Sequence, residues 1–241
     1  MVVGASGGLG RALVEELASR GHDLVLVASD ERDLQAERSH LRLKFGIRCE
    51  YAACHLTHRQ PWLAQIVTAA SRFERIDALF FPIGHSQADD VGTLGADAVY
   101  DIVESNFTAV AILVAHFLPG ILARNDGCIV GFGSIAAIRG RKANIVYAAA
   151  KRSLASYFES LRHLAAGTRV RVQFYQIGYM DTQQSFGRKL LFPKCDPRAV
   201  ARTVVHNLNR DFGMRYIPRF WTLVSWILKL LPWPIYKRLN F

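Results

Sequence analysis

The stretch VVGASGGLGRALVEELASRG, residues 2–21, decides the fold of this chain. Two valines lead into a glycine-rich turn of the form Gly-x-x-x-Gly-x-Gly, and the residues after it have the apolar spacing of a helix. Glycines let a backbone turn tightly and approach a pyrophosphate, which then lies at the N-terminus of the helix. The stretch therefore predicts a strand, turn and helix that bind a dinucleotide. The expected contacts are Gly4, Ser6, Gly8, Leu9 and Gly10.

Beyond this unit, apolar runs of strand length alternate with longer helical patterns. Strands are predicted at residues 23–28, 47–54, 77–84, 127–134 and 169–178. Helices are predicted at residues 31–46, 59–73, 96–124 and 145–166. The alternation predicts an α/β fold of Rossmann-like type, a doubly wound parallel sheet in three layers with helices on both faces. We assign residues 1–214 to a single domain and residues 215–241 to a hydrophobic, basic and helical C-terminal extension.

Composition narrows the class of protein. The net charge is +10, but the cations are scattered and no nucleic-acid-binding signature occurs, so no nucleic-acid partner is expected. The four cysteines form no Cys-x-x-Cys pair, as is typical of reduced thiols in a cytoplasmic protein. Cys49, Cys54, His55 and His58 lie close together, but their spacing fits no common zinc pattern, and no metal is expected. No signal peptide is read at the start.

The stretch SIAAIRGRKANIVYAAAK, residues 134–151, carries the chemistry. Ser134 ends a predicted strand at the sheet edge where ligands bind, and Tyr147 and Lys151 lie one turn apart on the predicted helix. A tyrosine acts as a general acid when its pKa falls towards neutrality, and a nearby ammonium produces such a shift. A serine hydroxyl can polarise a carbonyl. The three residues predict hydride transfer between a nicotinamide and a carbonyl or alcohol carbon.

With these motifs, the chain resembles the short-chain dehydrogenases/reductases from Gly4 to about Thr182. The resemblance implies that Tyr147 donates the proton and that Ser134 orients the carbonyl. It also implies that Lys151 lowers the tyrosine pKa and holds the nicotinamide ribose. Asn106, in ESNFTAV, matches the helix asparagine of the family that anchors a proton-relay water.

Further cofactor contacts follow from the resemblance, with departures from the family pattern. In FPIG (81–84), which stands where Asn-Asn-Ala-Gly is usual, Gly84 alone matches. In QIGYMDT (176–182), Ile177 replaces the usual proline. An aspartate that touches adenine is usual where this chain has a histidine. The contacts carried over are His55, Leu56, Gly84, Tyr147, Lys151, Gly178 and Thr182.

The choice of cofactor is read after the second predicted strand, at Ser29 and Asp30. An acid at this point binds the ribose 2′-hydroxyl and repels a 2′-phosphate. Gly7 stands where relatives that prefer NADP often carry a basic residue, and Arg32 is the one nearby exception. The pattern favours NAD(H), with NADP(H) as the alternative.

Three cations, Arg139, Arg141 and Lys142, lie between Ser134 and Tyr147. They are either a solvated surface or a clamp for a substrate phosphate, since a guanidinium matches a phosphate bidentately. The extension has two interpretations as well. Its longest apolar run is too short to span a bilayer. Its sequence predicts either a helix lying at a membrane surface or a helix packed on the core or on a second subunit.

The cationic segment and the ending IPRFW…LLPWPIYKRLNF resemble a narrower group, the reductases of decaprenylphosphoryl-2-keto-ribose. That resemblance implies a polyprenyl-phosphate 2-keto-pentose substrate in cell-envelope synthesis and a flavoprotein oxidase as partner. It also implies a position at the inner face of the cell membrane. The alternatives are a reductase of another hydrophobic ketone (acyl, sphingoid or steroid) and a non-catalytic nucleotide-binding protein. Homo-oligomers, dimers or tetramers, are expected through the helices at 96–124 and 145–166.

Overall fold

Seven parallel strands form the central sheet of the structure, a computed structural model that describes residues 1–57, 61–181 and 192–239. The strands are β1 (Val2–Val3), β2 (Leu24–Ala28), β3 (Cys49–Ala53), β4 (Ala78–Phe81), β5 (Gly127–Ser134), β6 (Val170–Ile177) and β7 (Met214–Ile217). The helices are α1 (Gly8–Ala18), α2 (Glu31–Phe45), α3 (Trp62–Ala70), α4 (Ala96–Val103), α5 (Ala109–Ala123), α6 (Ile145–Leu164), α7 (Pro197–His206), α8 (Trp221–Leu230) and α9 (Trp233–Tyr236).

The strand order is β3-β2-β1-β4-β5-β6-β7, and every pair of neighbours is parallel. The chain therefore winds outward from β1 in one direction and then from β4 in the other. The point between β1 and β4, where the winding reverses, opens a crevice at the carboxyl ends of the strands. The predicted doubly wound, three-layer α/β fold is confirmed.

Two apolar layers hold the helices on the sheet. Along β2, Val25 and Val27 point to one face, whereas Leu24 and Leu26 point to the other, because successive strand side chains alternate. The first face packs against α3, α5 and α6, and the second against α1, α2 and α7. All five residues of β2 are buried, which is what a central parallel strand requires.

The helix predicted over 96–124 is interrupted. A π-helical turn, Glu104–Thr108, separates α4 from α5. The side-chain Nδ2 of Asn106 donates to the carbonyl oxygen of Ile102, four residues earlier, at 2.8 Å. It thereby occupies the acceptor that the backbone amide of Asn106 would use in an α-helix. By length and composition, Ala96–Ala123 could also cross a membrane, but core helices of soluble proteins meet the same criterion, and its residues Val110 and Leu113 are buried against the sheet.

The first strand has two residues, Val2 and Val3, as the sequence before the glycine turn indicated, whereas α7 was not predicted. Strand β7 includes residues on both sides of the domain boundary predicted between 214 and 215, so the sheet extends to Ile217. Its side chains are exposed or only half buried, and its four residues show no clear alternation that a sequence pattern could detect.

Candidate active site

A cavity of about 1060 Å³ lies at the carboxyl ends of the central strands. Its wall includes most of the residues predicted to contact the cofactor. These are Gly4, Ser6, Gly8, Leu9, Ser29, His55, Leu56, Gly84, Tyr147 and Lys151. Gly10, Asp30 and Gly178 do not line it in the part of the chain that the structure describes, and Thr182 lies outside the described residues.

The glycine turn leaves its backbone open to a ligand. Gly4 has a φ of 98°, a conformation that favours glycine. A Cβ on Gly10 would overlap the carbonyl oxygen of Gly4, so the glycine lets α1 start close against β1. Within the described chain, no side chain caps α1 at Gly7, and its first residues, Gly8 and Leu9, line the cavity. These residues fit the pyrophosphate of a nicotinamide dinucleotide, because free N-terminal amides favour an anion.

The structure brings Ser134, Tyr147 and Lys151 together. Ser134 ends β5, and its hydroxyl acts on the Tyr147 phenol of α6, whose pKa it lowers against the effect of burial. Lys151, one turn further along α6, is 2% exposed, and its Nζ lies 6.0 Å from the centre of the Tyr147 ring. That Nζ donates hydrogen bonds to the carbonyl oxygens of Ile83 and Phe132, the second at 3.1 Å. The phenol and the ammonium required for the predicted chemistry thus line the cavity, whereas Ser134, next to the lining residue Gly133, is not itself among the lining residues.

The pKa of Tyr147 differs from the expectation. Burial raises the pKa of this phenol, and the opposing effects come from the Ser134 hydrogen bond and the Arg141 charge rather than from Lys151. Burial also lowers the pKa of Lys151 to about 7, because its ammonium is removed from water. Lys151 directs its hydrogen bonds to the backbone carbonyls of Ile83 and Phe132. A phenol that stays protonated at neutral pH is the form that a reductase needs for donating a proton.

Asn106 is fully buried in the π-helical turn and clamps the loop that follows β4. Its Oδ1 accepts a hydrogen bond from the His85 amide at 3.2 Å, and its Nδ2 donates to the His85 carbonyl oxygen at 2.7 Å. The same Nδ2 donates to Ile102, so both of its hydrogens are used. The side chain therefore fixes the backbone next to Gly84, which lines the cavity.

At the far end of the cavity the acid differs from the one predicted. The carboxylate of Asp30 caps α2, where it accepts from the Asp33 amide at 3.0 Å. Asp33 itself lines the cavity and forms an ion pair with Arg11 at 3.2 Å. Neither Arg11 nor Asp33 was predicted. Asp33 was missed because the first turn of α2 carries it back towards the cavity, and its sequence position alone does not show this.

The three cations have different environments. The Nη1 of Arg139 donates to the carbonyl oxygens of Leu228 and Leu231 at 2.7 and 2.5 Å, and the guanidinium lies 4.0 Å from the centre of the Tyr236 ring. Arg139 therefore binds the C-terminal extension, an environment that differs from both the solvated surface and the phosphate clamp considered for it. Lys142 is exposed.

Arg141 lies near the tyrosines of both regions. Burial raises the pKa of Tyr147 and that of Tyr236, and the Arg141 charge opposes the rise at both phenols. Arg141 directly follows Gly140, whose carbonyl oxygen accepts a hydrogen bond from the Tyr236 hydroxyl, so the segment that carries this guanidinium contacts the extension. Its Nε is buried and has no hydrogen-bond partner among the described residues. A buried guanidinium nitrogen without an acceptor is costly, and an anionic ligand would satisfy it.

Asp90 is a functional residue that the sequence did not reveal. It is fully buried, its Oδ1 accepts from the Val146 amide and its Oδ2 from the Tyr147 amide, each at 3.0 Å, and its carbonyl oxygen accepts from Ile145 at 3.3 Å. The carboxylate thus caps α6 from a loop more than fifty residues away. No local pattern could have indicated this contact.

Comparisons with known proteins agree with this geometry. The family model described as short chain dehydrogenase matches residues 1–188. An uncharacterized oxidoreductase of Myxococcus xanthus is 30% identical over 183 residues, which cover 76% of this chain and 72% of the relative. The 3-oxoacyl-[acyl-carrier-protein] reductase FabG of Vibrio cholerae is 26% identical and is matched over 77% of this chain and 74% of its own length.

Solved structures share the fold. A short-chain dehydrogenase from Sphingobium yanoikuyae in complex with NADPH superimposes with a TM-score of 0.83 at 22% identity, covering 100% of this chain and 95% of that one. A 7β-hydroxysteroid dehydrogenase gives a TM-score of 0.84 at 17% identity, over 95% and 91% of the two chains. One conclusion follows from the glycine turn, from the grouping of Ser134, Tyr147 and Lys151, and from the family match. This chain belongs to the short-chain dehydrogenase family and is an NAD(P)-dependent oxidoreductase.

Proposed function

We propose that this oxidoreductase reduces the keto group of a polyprenyl-phosphate-linked 2-keto-pentose. The observation that carries the proposal is the Nε of Arg141, which is buried without a hydrogen-bond partner among the described residues, in a segment that contacts Tyr236 of the extension through Gly140. A sugar phosphate whose carbonyl reaches Tyr147 would bring its phosphate to this guanidinium. The lipid chain would then leave along the apolar surface of the extension.

Hydride to the carbonyl carbon comes from a nicotinamide dinucleotide bound along the cavity. Tyr147 donates its phenolic proton to the carbonyl oxygen, and its raised pKa keeps that proton in place at neutral pH until charge develops on the substrate. Ser134, at the end of β5, would stabilise the same oxygen with its hydroxyl. Lys151 fixes the backbone of Ile83 and Phe132 at the floor of the site and holds the cofactor ribose.

The acidic end of the cavity supports NAD(H) over NADP(H). The carboxylate of Asp33 faces the cavity, and Asp30 lies three residues before it. The nearest cation, Arg11, is already paired with Asp33 and lies 3.8 Å from Glu37. A 2′-phosphate would have to break this pair, whereas a ribose hydroxyl would find an acceptor.

The second candidate is a reductase of a purely apolar ketone. Its support is the apolar cluster of Ile135, Ile138 and Trp221 beside the active-site segment. The similarity to the acyl-carrier-protein reductase of Vibrio cholerae also favours it. In that case Arg141 would serve the fold and not the substrate.

Turnover separates the two candidates. NADH and NADPH oxidation would be followed with a polyprenyl-phosphate 2-keto-ribose and with a simple apolar ketone. We expect turnover of the sugar lipid and a rise of its KM in Arg141→Ala, while Arg202→Ala, an exposed arginine on α7, serves as the matched control. Turnover of the apolar ketone alone, unchanged in Arg141→Ala, would support the second candidate.

Two partners complete the proposal. A flavin-dependent oxidase that turns the 2-hydroxyl of the sugar lipid into a ketone would supply the substrate. We also propose homo-oligomers through α4, α5 and α6, which expose the apolar side chains of Ile112 and Ile145. Light scattering tests the second point, and a monomer at working concentration would contradict it.

A further inference from the structure

We propose that α8 and α9 form a docking surface for an anionic lipid bilayer, beside the mouth of the active site. The docking surface is defined by the outward side chains of Leu223, Trp226, Ile227, Leu230, Trp233 and Ile235 with the cations Lys229 and Lys237. The inference deepens the proposed function, because its purpose rests on a lipid-linked substrate. The surface itself is argued from its own side chains.

Helix α8 is apolar on two opposite faces. Trp221 and Ser225 are buried, and Val224 and Leu228 pack with them against the body of the protein. The other face carries Leu223, Trp226, Ile227 and Leu230, whose exposed fractions are 68, 63, 53 and 73%. These four follow the spacing of one helical face. A surface helix of a soluble protein would be polar there, so this face requires an apolar environment.

Helix α9 continues the exposed apolar surface. Trp233 is 64% exposed and Ile235 is 53% exposed. Tryptophan prefers the interface between headgroups and hydrocarbon, since its ring is apolar and its N–H is polar. With ten residues, α8 is only about 15 Å long and cannot cross a hydrocarbon core of about 30 Å. The two helices would therefore lie in the plane of the interface.

The charge of the C-terminal segment indicates what the docking surface binds. No Asp or Glu follows Asp211 in the sequence, and residues 212–241 carry five cations, which are Arg215, Arg219, Lys229, Lys237 and Arg238. Anionic headgroups attract such a segment. A second copy of the same surface would bring like charges together, which is unfavourable. Charge complementarity therefore favours an anionic bilayer over self-association through this face.

Contacts join the docking surface to the active-site segment. Arg139 donates to the carbonyl oxygens of Leu228 in α8 and of Leu231, the residue that follows this helix. The hydroxyl of Tyr236 donates to the carbonyl oxygen of Gly140 at 2.5 Å. Both residues of this segment lie between Ser134 and Tyr147 in the sequence. Docking would place the mouth of the cavity at the bilayer, so that a lipid-linked ketone could reach Tyr147 without leaving the membrane.

Flotation with vesicles tests the proposal without substrate or cofactor. The full chain would be mixed with vesicles of phosphatidylcholine alone and of equimolar phosphatidylcholine and phosphatidylglycerol. We expect binding to the anionic vesicles that weakens as salt rises. The double variant Lys229→Gln/Lys237→Gln should bind roughly thirtyfold more weakly, since each lost cation weakens binding about five- to sixfold. The control Arg152→Gln/Arg202→Gln removes two exposed cations elsewhere and should bind as the wild type does.

Apolar variants complete the test. Trp226→Glu and Leu230→Glu should abolish flotation, while Leu43→Glu, which changes an 89% exposed leucine on α2, should not. Absence of binding by the wild type, or equal loss in the controls, would overturn the proposal. So would an oligomer that Trp226→Glu splits in light scattering while no vesicles are bound, because the face would then be a protein interface. Vesicle binding is measured without turnover, so a failure of the proposed substrate to react would not affect this result. In the same way, a failure to bind vesicles would not affect the turnover test of the proposed substrate.

Discussion

The carboxylate of Asp90 holds the backbone of Tyr147: its Oδ2 accepts a hydrogen bond from the Tyr147 amide at 3.0 Å. Its other oxygen binds the amide of Val146, so one buried side chain satisfies two of the free amides at the start of α6. The capping oxygens come from the loop after β4, which also lines the cavity. The position of the proton donor thus depends on a residue that does not touch the reacting atoms.

Replacing Asp90 should misplace Tyr147. In Asp90→Asn the amide nitrogen cannot accept, so one helix amide loses its partner, and we expect kcat to fall roughly ten- to hundredfold. Stability should fall by about 2 kcal/mol. Cofactor affinity should change little, because the glycine turn is distant in the sequence and separately built. The matched control is Asp89→Asn, whose side chain is exposed. Equal losses of kcat and cofactor affinity would indicate general unfolding and not a positioning role.

Removing the phenolic hydroxyl tests the catalytic assignment itself. Tyr147→Phe should lower kcat by about two to four orders of magnitude while cofactor binding, measured by fluorescence, persists. Tyr157→Phe is the control on the same helix, where the hydroxyl reaches only the carbonyl oxygen of Ala111 at 3.4 Å. Turnover that is unchanged in Tyr147→Phe would favour the non-catalytic nucleotide-binding alternative.

Lys151 should leave a signature in stability against pH. Its pKa is lowered by burial to about 7 in the folded chain, while a free lysine titrates near about 10.4. Between these values the unfolded chain binds more protons, so this group makes wild-type stability rise with pH. The Lys151→Met variant lacks this pH-dependent contribution to stability. The free energy of unfolding of Lys151→Met minus that of the wild type should therefore be largest at and below pH ~7 and fall as pH rises towards ~10.

Urea denaturation across this pH range measures the difference. Lys229→Met changes an exposed lysine and should give a difference without this slope. A difference for Lys151→Met that stays flat, or that grows with pH, would mean that the ammonium is stabilised in place by its two carbonyl partners and that burial does not dominate.

A feature could be predicted from the sequence when the residues that form it lie close together along the chain. The glycine turn is a local sequence feature, and so is the spacing of Ser134, Tyr147 and Lys151. The strand and helix periods that place these features are local too, so the fold and the position of these three residues in it could be predicted. The contacts of Asp90 with α6 and of Arg139 with α8 join residues more than fifty and about ninety positions apart. Such contacts depend on tertiary packing, which no periodicity encodes.

The acid at the end of the cavity where we propose that the cofactor ribose binds illustrates the same limit of the sequence. The sequence pointed to Asp30, yet the start of α2 uses the Asp30 carboxylate as its cap and presents Asp33 to the cavity. We expect Asp33→Ala to weaken NADH binding and to shift the ratio of NADH to NADPH affinity towards NADPH by roughly fivefold, about the worth of one exposed charge pair. Arg11, released from its ion pair, would then be free to meet a 2′-phosphate.

Asp30→Ala is the matched variant, and titration of both cofactors by fluorescence is the measurement. Loss of the cap should lower stability by about 1 kcal/mol and leave the cofactor ratio nearly unchanged. The reverse pattern, a ratio that shifts in Asp30→Ala and not in Asp33→Ala, would restore the assignment drawn from the sequence. It would also mean that the Asp30 carboxylate leaves its capping position when the ribose binds, because one carboxylate group cannot keep its bond to the Asp33 amide and turn fully to the ligand.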